Sequence, residues 1–121
     1  MSKLNIDVLL HNKTINDIYK TSVKGIKNDN KIIFYDNKVN NILLIQNTDI
    51  LYKRISDEYE IEIFFSKNNS YGKYIMNNFS FLFEVKVNSI SILDNKIVID
   101  YITNINNEDV LYNYTIEYRG E

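Results

Sequence analysis

Apolar residues recur at every second position through most of this 121-residue chain. The pattern is clearest in four segments, which span residues 4–10, 19–25, 59–65 and 110–118. Alternation of this kind predicts β-strands with one buried face and one solvated face. No segment carries the apolar stripe that a helix shows at a period of about 3.6 residues. The chain is therefore predicted to be all-β.

Clusters of Asn and Asp separate these segments at short intervals and predict tight turns. They lie at residues 28–30, 36–37, 68–69, 94–95 and 106–109. Asn and Asp tolerate a left-handed backbone and can replace Gly in hairpin turns, and the chain has only 3 Gly. The spacing of these turns predicts about eight to ten short strands.

Regularly spaced strands with short turns predict a meander, in which strands that are neighbours in sequence pair with each other. A long open meander has two exposed edges that favour aggregation, whereas closure removes both. About eight strands suffice for a barrel that is filled by side chains or holds one small ligand. We therefore predict one domain over residues 1–121, an antiparallel up-and-down β-barrel rather than a sandwich or an open sheet.

The segment FSFLFEVKVNSISI, Phe79–Ile92, changes the phase of its alternation. Its apolar residues hold odd positions up to Val87 and even positions from Ile90 onward. A shift of one residue reverses the face of every later side chain unless an extra residue forms a β-bulge. We expect such a bulge or bend near Asn88-Ser89. The side chains expected to face inward on either side of it are Phe81, Phe83, Val85, Ile90 and Ile92.

Composition narrows the classes of function. The chain has no Cys, which excludes disulfides and Cys-based metal sites. Its 14 basic and 16 acidic residues give a net charge of −2, without the basic excess of nucleic-acid binders. Neither a signal peptide nor an apolar run of about 20 residues is present. We expect a cytoplasmic protein without nucleic-acid or membrane partners, and abundant Asn and Ile without Pro indicate an AT-rich bacterial genome.

Three regions carry a resemblance to a known family: Thr21–Gly25 leading into Ile33–Asp36, the strand Asp94–Tyr101, and the ending Tyr114–Gly120. In their order and spacing they resemble the YwiB-like family of uncharacterised bacterial proteins over nearly the whole chain. The resemblance implies a calycin-like, lipocalin-like β-barrel and lends no activity. The family often has Arg-x-Gly after the strand that ends near Phe65, where this chain continues Ser-Lys-Asn, so no lumen Arg is carried over there.

Ten Tyr and six Phe are the strongest indication of a binding site. Several of them are expected to face the barrel interior and are our candidate ligand-binding residues. These are Tyr101, Tyr112, Tyr114, Tyr118, Phe81 and Phe83. Converging rings can line a pocket for a small apolar or aromatic ligand, but they also suit strands and can simply fill a barrel. Two functions stay open: a ligand-binding barrel, and a protein-interaction or structural domain with a solid core.

The chain offers few candidates for metal binding or for nucleophilic catalysis. His11 is the only histidine, adjoins a predicted turn and is expected to be solvated. Glu58, Glu60 and Glu62 are expected on one face of a strand, where they form either a cation-binding row or, in our preferred interpretation, a solvated outer face. We predict no metal site.

Four further charged residues are candidates for acid–base chemistry or ligand binding. Glu84 and Asp100 are candidate acid–base carboxylates, but the alternation places both on outward faces. Arg54 and Arg119 are candidate anchors for a ligand carboxylate, although we expect both at the surface. We therefore predict a non-enzymatic protein without catalytic residues or cofactors, acting as a monomer or homodimer with a small apolar molecule as its partner.

Overall fold

The computed structural model describes residues 2–121, and all of its regular elements are β-strands. Each strand pairs antiparallel with its neighbours in sequence, and the first also pairs with the last, which closes the sheet into a barrel. The ten strands are β1 (Ser2–Asn12), β2 (Asp17–Asn28), β3 (Lys31–Asp36), β4 (Val39–Gln46), β5 (Asp49–Ile55), β6 (Glu60–Phe65), β7 (Tyr71–Met76), β8 (Phe79–Ile92), β9 (Lys96–Ile105) and β10 (Glu108–Gly120). The predicted up-and-down barrel is confirmed. Within residues 2–121 we find no helix with the length and apolar character needed to cross a bilayer.

Most of the turns contain Asn residues whose backbone is in the left-handed conformation. The non-glycine residues with positive φ are Asn16, Asp29, Asn37, Lys38, Asn47, Asn77, Asn106 and Asn107, and no Gly within residues 2–121 has a positive φ. Two consecutive positive φ values, as at Asn106-Asn107, are the conformation of a type I′ hairpin turn. The expected replacement of Gly by Asn in the turns is confirmed.

The phase change in β8 is a β-bulge. The register of β8 against β9 shifts between Val87 and Ser89, which leaves Asn88 as the extra residue. Beyond the bulge, Ile90 lies opposite the fully buried Ile99. The valines before the bulge are buried, and the isoleucines after it pack against the core. The bulge predicted from the sequence is therefore confirmed.

The core fills one half of the barrel. The fully buried side chains are Ile6, Ile32, Leu43, Ile50, Phe65, Ile97, Ile99 and Ile116. Most of them lie towards the end that carries the turns at residues 29–30, 47–48, 66–70 and 93–95, which we call the filled end. The opposite end, with the turns at residues 13–16, 37–38, 56–59, 77–78 and 106–107, we call the open end.

Two hairpins project beyond their neighbours at the open end. The first residues of β8, Phe79–Phe83, pair with β7 only, because pairing with β9 begins at Glu84. Residues 17–24 of β2 likewise pair with β1 only, because pairing with β3 begins at Gly25. A Cβ at Gly25 would lie 2.7 Å from the carbonyl oxygen of Ile33, so glycine permits the close approach of β2 to β3.

Candidate functional site

The open end of the barrel contains a cavity of about 260 Å³. Its walls come from β1 and from β5 to β10, and they are built mostly from aromatic and aliphatic side chains. The cavity reaches the surface at its rim, where Phe81 is 36% and Ile105 is 41% exposed. The barrel is thus filled at one end and hollow at the other.

Five of the six candidate residues line this cavity, namely Tyr101, Tyr112, Tyr114, Phe81 and Phe83. The sixth, Tyr118, is buried opposite Ile6 near the filled end, where its backbone N–H donates to the carbonyl of Asn95. The period-two alternation brings the five together, because inward side chains on neighbouring strands share one interior. Their role in binding a ligand stays a prediction.

A hydrogen-bonded cluster forms one wall of the cavity. The Tyr52 hydroxyl donates to Oδ1 of the buried Asn41 at 2.8 Å, and the Tyr114 hydroxyl donates to the Tyr52 oxygen at 3.4 Å. The Asn41 amide in turn donates to the carbonyl of Val39 at 3.2 Å. This cluster fixes the rings of Tyr52 and Tyr114, whose centroids are 5.3 Å apart. Tyr52 was not among the predicted site residues, although it shares the inward parity of the buried Ile50.

Packing against neighbouring rings fixes the ring of Tyr101, and its hydroxyl is free. Its ring lies edge-on to Phe65, with centroids 4.8 Å apart, and stacks on Tyr112 at 5.2 Å. Within residues 2–121 no hydrogen bond occupies the Tyr101 hydroxyl, and the residue lines the cavity. A buried phenol prefers a hydrogen-bond partner, so this hydroxyl is a donor available to a ligand.

Tyr52, Tyr101 and Tyr114 are neutral phenols at physiological pH. Burial raises the pKa of Tyr52 to about 12. Burial is also the main cause that raises the pKa of Tyr101 and Tyr114 above the usual range for phenols. A neutral phenol donates one hydrogen bond and offers no phenolate base. These three side chains therefore present hydroxyl donors and no phenolate at physiological pH.

The rim of the cavity is a row of aromatic rings on β7 and β8. Tyr74, which was also not predicted, stacks on Phe81 with ring centroids 5.3 Å apart, and Phe79 continues the row with its centroid 5.7 Å from that of Phe81. Deeper in the cavity, Phe83 lies opposite Gly72, and a Cβ at Gly72 would overlap the Phe83 ring. The absence of a side chain at Gly72 thus sets the position of one cavity wall.

The expected surface role of Arg54 is wrong, whereas that of Arg119 agrees with the structure. Arg54 is on the inward face of β5, opposite the buried Asn41, and lines the cavity. Its position follows from the same parity that buries Ile50 and Tyr52, which continues to Arg54 despite the charge. Arg119 is exposed and pairs with Asp7, with Nη1 and Oδ2 2.9 Å apart.

The expected row of three glutamates is also wrong. β6 begins at Glu60, and Glu58 lies in the preceding bend rather than on the strand. Glu62 is engaged on the outer face, where it accepts a hydrogen bond from the Tyr71 hydroxyl at 2.7 Å and lies 3.7 Å from Nζ of Lys53. The Ser56 hydroxyl accepts hydrogen bonds from the backbone N–H groups of Glu58 and Tyr59. These bonds form the bend that takes Glu58 away from the row.

The other candidates for chemistry lie outside the cavity. His11 lies near the end of β1, as expected, but it is half-buried rather than solvated, and its Nε2 is 3.0 Å from Oδ1 of Asn16. Glu84 is exposed on the outer face. Asp100 is also on the outer face, 2.9 Å from Nζ of Lys13, and the hydrogen bond from Lys13 is the main cause that lowers the pKa of Asp100.

Comparison with solved structures identifies a related fold. The barrel is similar to the crystal structure of the ywiB protein from Bacillus subtilis, with a TM-score of 0.62 and 18% sequence identity. The similarity covers 98% of this chain and 90% of that chain. No protein-family model and no curated protein matches the sequence. The likeness shows the fold alone, and at that level it confirms the YwiB-like resemblance found in the sequence.

Proposed function

We propose that the barrel binds one small apolar or aromatic molecule in the cavity at its open end and has no catalytic activity. The observation that supports this most directly is the cavity of about 260 Å³ with a mostly aromatic and aliphatic lining. Ligand pockets usually have about 300–1,000 Å³ and this kind of lining. The volume, just below that range, favours a planar ligand of about one to three fused rings.

Packing energetics support the same proposal. Protein interiors are close-packed, and an apolar cavity lowers stability because its lining loses van der Waals contacts. Here the filled end contains well-buried Ile and Phe, so the chain packs tightly where no opening exists. A hollow confined to the accessible end is what a binding protein needs, and a ligand supplies the missing contacts.

The proposal includes the setting expected from the sequence. We place the protein in the cytoplasm of a bacterium with an AT-rich genome, as a monomer or homodimer without a cofactor. The neutral phenols of the cavity support binding rather than chemistry, because Tyr52, Tyr101 and Tyr114 have raised pKa values.

The alternative function, a protein-interaction domain, is supported by the exposed apolar side chains of the β7–β8 hairpin. Phe79 is 60% and Leu82 is 73% exposed on this hairpin, and Met76 is 40% exposed. Exposed apolar patches favour association with partners. In this alternative the hairpin, rather than the cavity, is the functional surface.

Uptake of the neutral dye 1-aminoanthracene, whose emission rises in apolar surroundings, tests the proposal. We expect saturable uptake at one dye per chain. Ile105→Trp places an indole at the cavity rim and should weaken uptake by about tenfold or more, whereas Asn104→Trp, its neighbour on the outer face of β9, should not. Native mass spectrometry of freshly purified protein should show an additional bound mass.

Two results would contradict the proposal. One is the absence of dye uptake together with the bare chain mass. The other is equal weakening by Ile105→Trp and Asn104→Trp, which would place the dye outside the cavity. If dye uptake is absent and the chain forms dimers that dissociate in the Leu82→Ser variant, the protein-interaction function is supported instead.

A further inference from the structure

Arg54 is the one charged residue in the cavity lining of residues 2–121. It lies on β5 between Asn41 of β4 and Ile61 of β6, and all three share the inward face of the sheet. Its Nε atom is buried and has no hydrogen-bond partner. Arg54 is half-buried, so its guanidinium loses part of its hydration, and this loss costs stability.

No carboxylate within residues 2–121 forms a direct ion pair with Arg54. The residues that line the cavity include neither Asp nor Glu, and none of the ion pairs formed within residues 2–121 involves Arg54. Asp36 lies close enough for its charge, like that of Arg54, to influence the Tyr52 phenol. Asp36 forms no ion pair with Arg54; its carboxylate accepts a hydrogen bond of 2.6 Å from the Tyr19 hydroxyl, and the charge of Arg54 also acts on that phenol.

Ionised phenols do not balance the charge either. Tyr52 and Tyr114 are hydrogen-bonded as neutral phenols, and burial raises their pKa values. The free Tyr101 hydroxyl is likewise a neutral donor. The cavity thus presents one positive charge, aromatic walls and several hydroxyl donors, among them the free hydroxyl of Tyr101.

We infer that the ligand is a planar aromatic monocarboxylate whose carboxylate binds the Arg54 guanidinium while its ring lies among the cavity aromatics. A guanidinium matches a carboxylate in a bidentate geometry, and such charge-assisted pairs are stronger than neutral hydrogen bonds. One guanidinium balances one negative charge, so a second charge on the ligand would stay buried and uncompensated. This inference rests on the proposed function, since it names the class of ligand for the same cavity.

Two probes of nearly equal shape distinguish the contribution of the carboxylate charge to binding from that of the aromatic ring. We would measure binding of 2-naphthoate and of the neutral 2-naphthamide to the full chain by isothermal titration calorimetry. We expect 2-naphthoate to bind about tenfold tighter or more, the difference that a charge-assisted hydrogen bond supplies. This comparison uses the unmodified protein and does not depend on the folding of a variant.

Variants at the two arginines of the chain localise the effect. Arg54→Met should remove the preference for 2-naphthoate while leaving 2-naphthamide binding unchanged or stronger. Arg54→Lys, which keeps the charge without the planar fork, should retain part of the preference. Arg119→Met is the matched control, because Arg119 pairs with Asp7 on the outer surface and should not affect either probe.

The outcomes distinguish this inference from the proposed function. Equal binding of the two probes, or a preference that survives in Arg54→Met, overturns the inference and leaves a neutral-ligand cavity. Tighter binding of 2-naphthyl phosphate than of 2-naphthoate overturns the assignment of a carboxylate. Failure of both naphthalene probes and of 1-aminoanthracene overturns the proposed function itself, and the inference with it.

Discussion

Substitution of Tyr52 by Phe should destabilise the barrel although it removes only one oxygen atom. The Tyr52 hydroxyl donates to Oδ1 of Asn41 at 2.8 Å, and Asn41 is only 5% exposed. In Tyr52→Phe the aromatic ring keeps its packing, but the Asn41 oxygen loses its partner in a place that is nearly closed to water.

The expected cost follows from that unsatisfied oxygen. A buried polar group that loses its hydrogen-bond partner costs about 1–3 kcal/mol. Tyr101→Phe is the matched control, because Tyr101 is 6% and Tyr52 is 7% exposed, and the Tyr101 hydroxyl has no partner within residues 2–121. We expect Tyr101→Phe to change the free energy of unfolding by less than about 0.5 kcal/mol.

Urea unfolding followed by circular dichroism measures the difference. With a urea dependence of about 1–3 kcal/mol per molar for small proteins, a loss of about 2 kcal/mol lowers the midpoint by about 1 M. Adding Asn41→Leu to Tyr52→Phe should recover part of the loss, since both polar partners are then apolar. Equal midpoints for Tyr52→Phe and Tyr101→Phe, or no recovery in the double variant, would refute the reasoning.

Three further predictions concern pH, packing and charge. The pKa values of the buried Tyr52, Tyr101 and Tyr114 are raised above the 10.0 of an exposed phenol. The unfolded chain then loses these protons at a lower pH than the folded chain, so the free energy of unfolding should fall above about pH 10, by up to about 1.4 kcal/mol per pH unit for each tyrosine. Urea unfolding at a series of pH values measures this slope, which should be smaller in Tyr101→Phe. Gly72→Ala should lower thermal stability by about 1–3 kcal/mol because its Cβ overlaps the Phe83 ring, and a Phe83→Ala background should remove most of that cost in differential scanning fluorimetry. Arg54→Met should raise the melting temperature of the ligand-free protein, because it removes an unpaired charge and a buried Nε, and a lower melting temperature would show that Arg54 is structural.

The alternation of the sequence was sufficient to predict the architecture and the faces of most strands. The bulge at Asn88 was predictable because a strand whose alternation changes phase can keep its apolar side chains inward by inserting one extra residue. The turns were predictable for a similar reason, since Asn is the residue present that tolerates positive φ.

The hollow half of the barrel was not predictable from the same pattern. Parity states which side chains point inward, but not whether they meet across the interior. That depends on strand length and on how far each hairpin projects, and Tyr118 shows the consequence: it points inward like Tyr114 but packs near the filled end. Arg54 was misassigned because its charge outweighed its parity in the prediction, although the strand geometry places it inside.

The hollow end follows from the pairing of β8. Its first part, Phe79–Phe83, pairs with β7 alone, so the aromatic rings there extend past the end of β9. After the bulge at Asn88 the strand turns its isoleucines onto the core against β9. The two parts of β8 thus serve different ends of the barrel: the later part helps fill it, and the earlier part forms the aromatic rim of the cavity. Since the rings at this rim are held from one side only, the chain itself supplies no contacts that would fill the cavity.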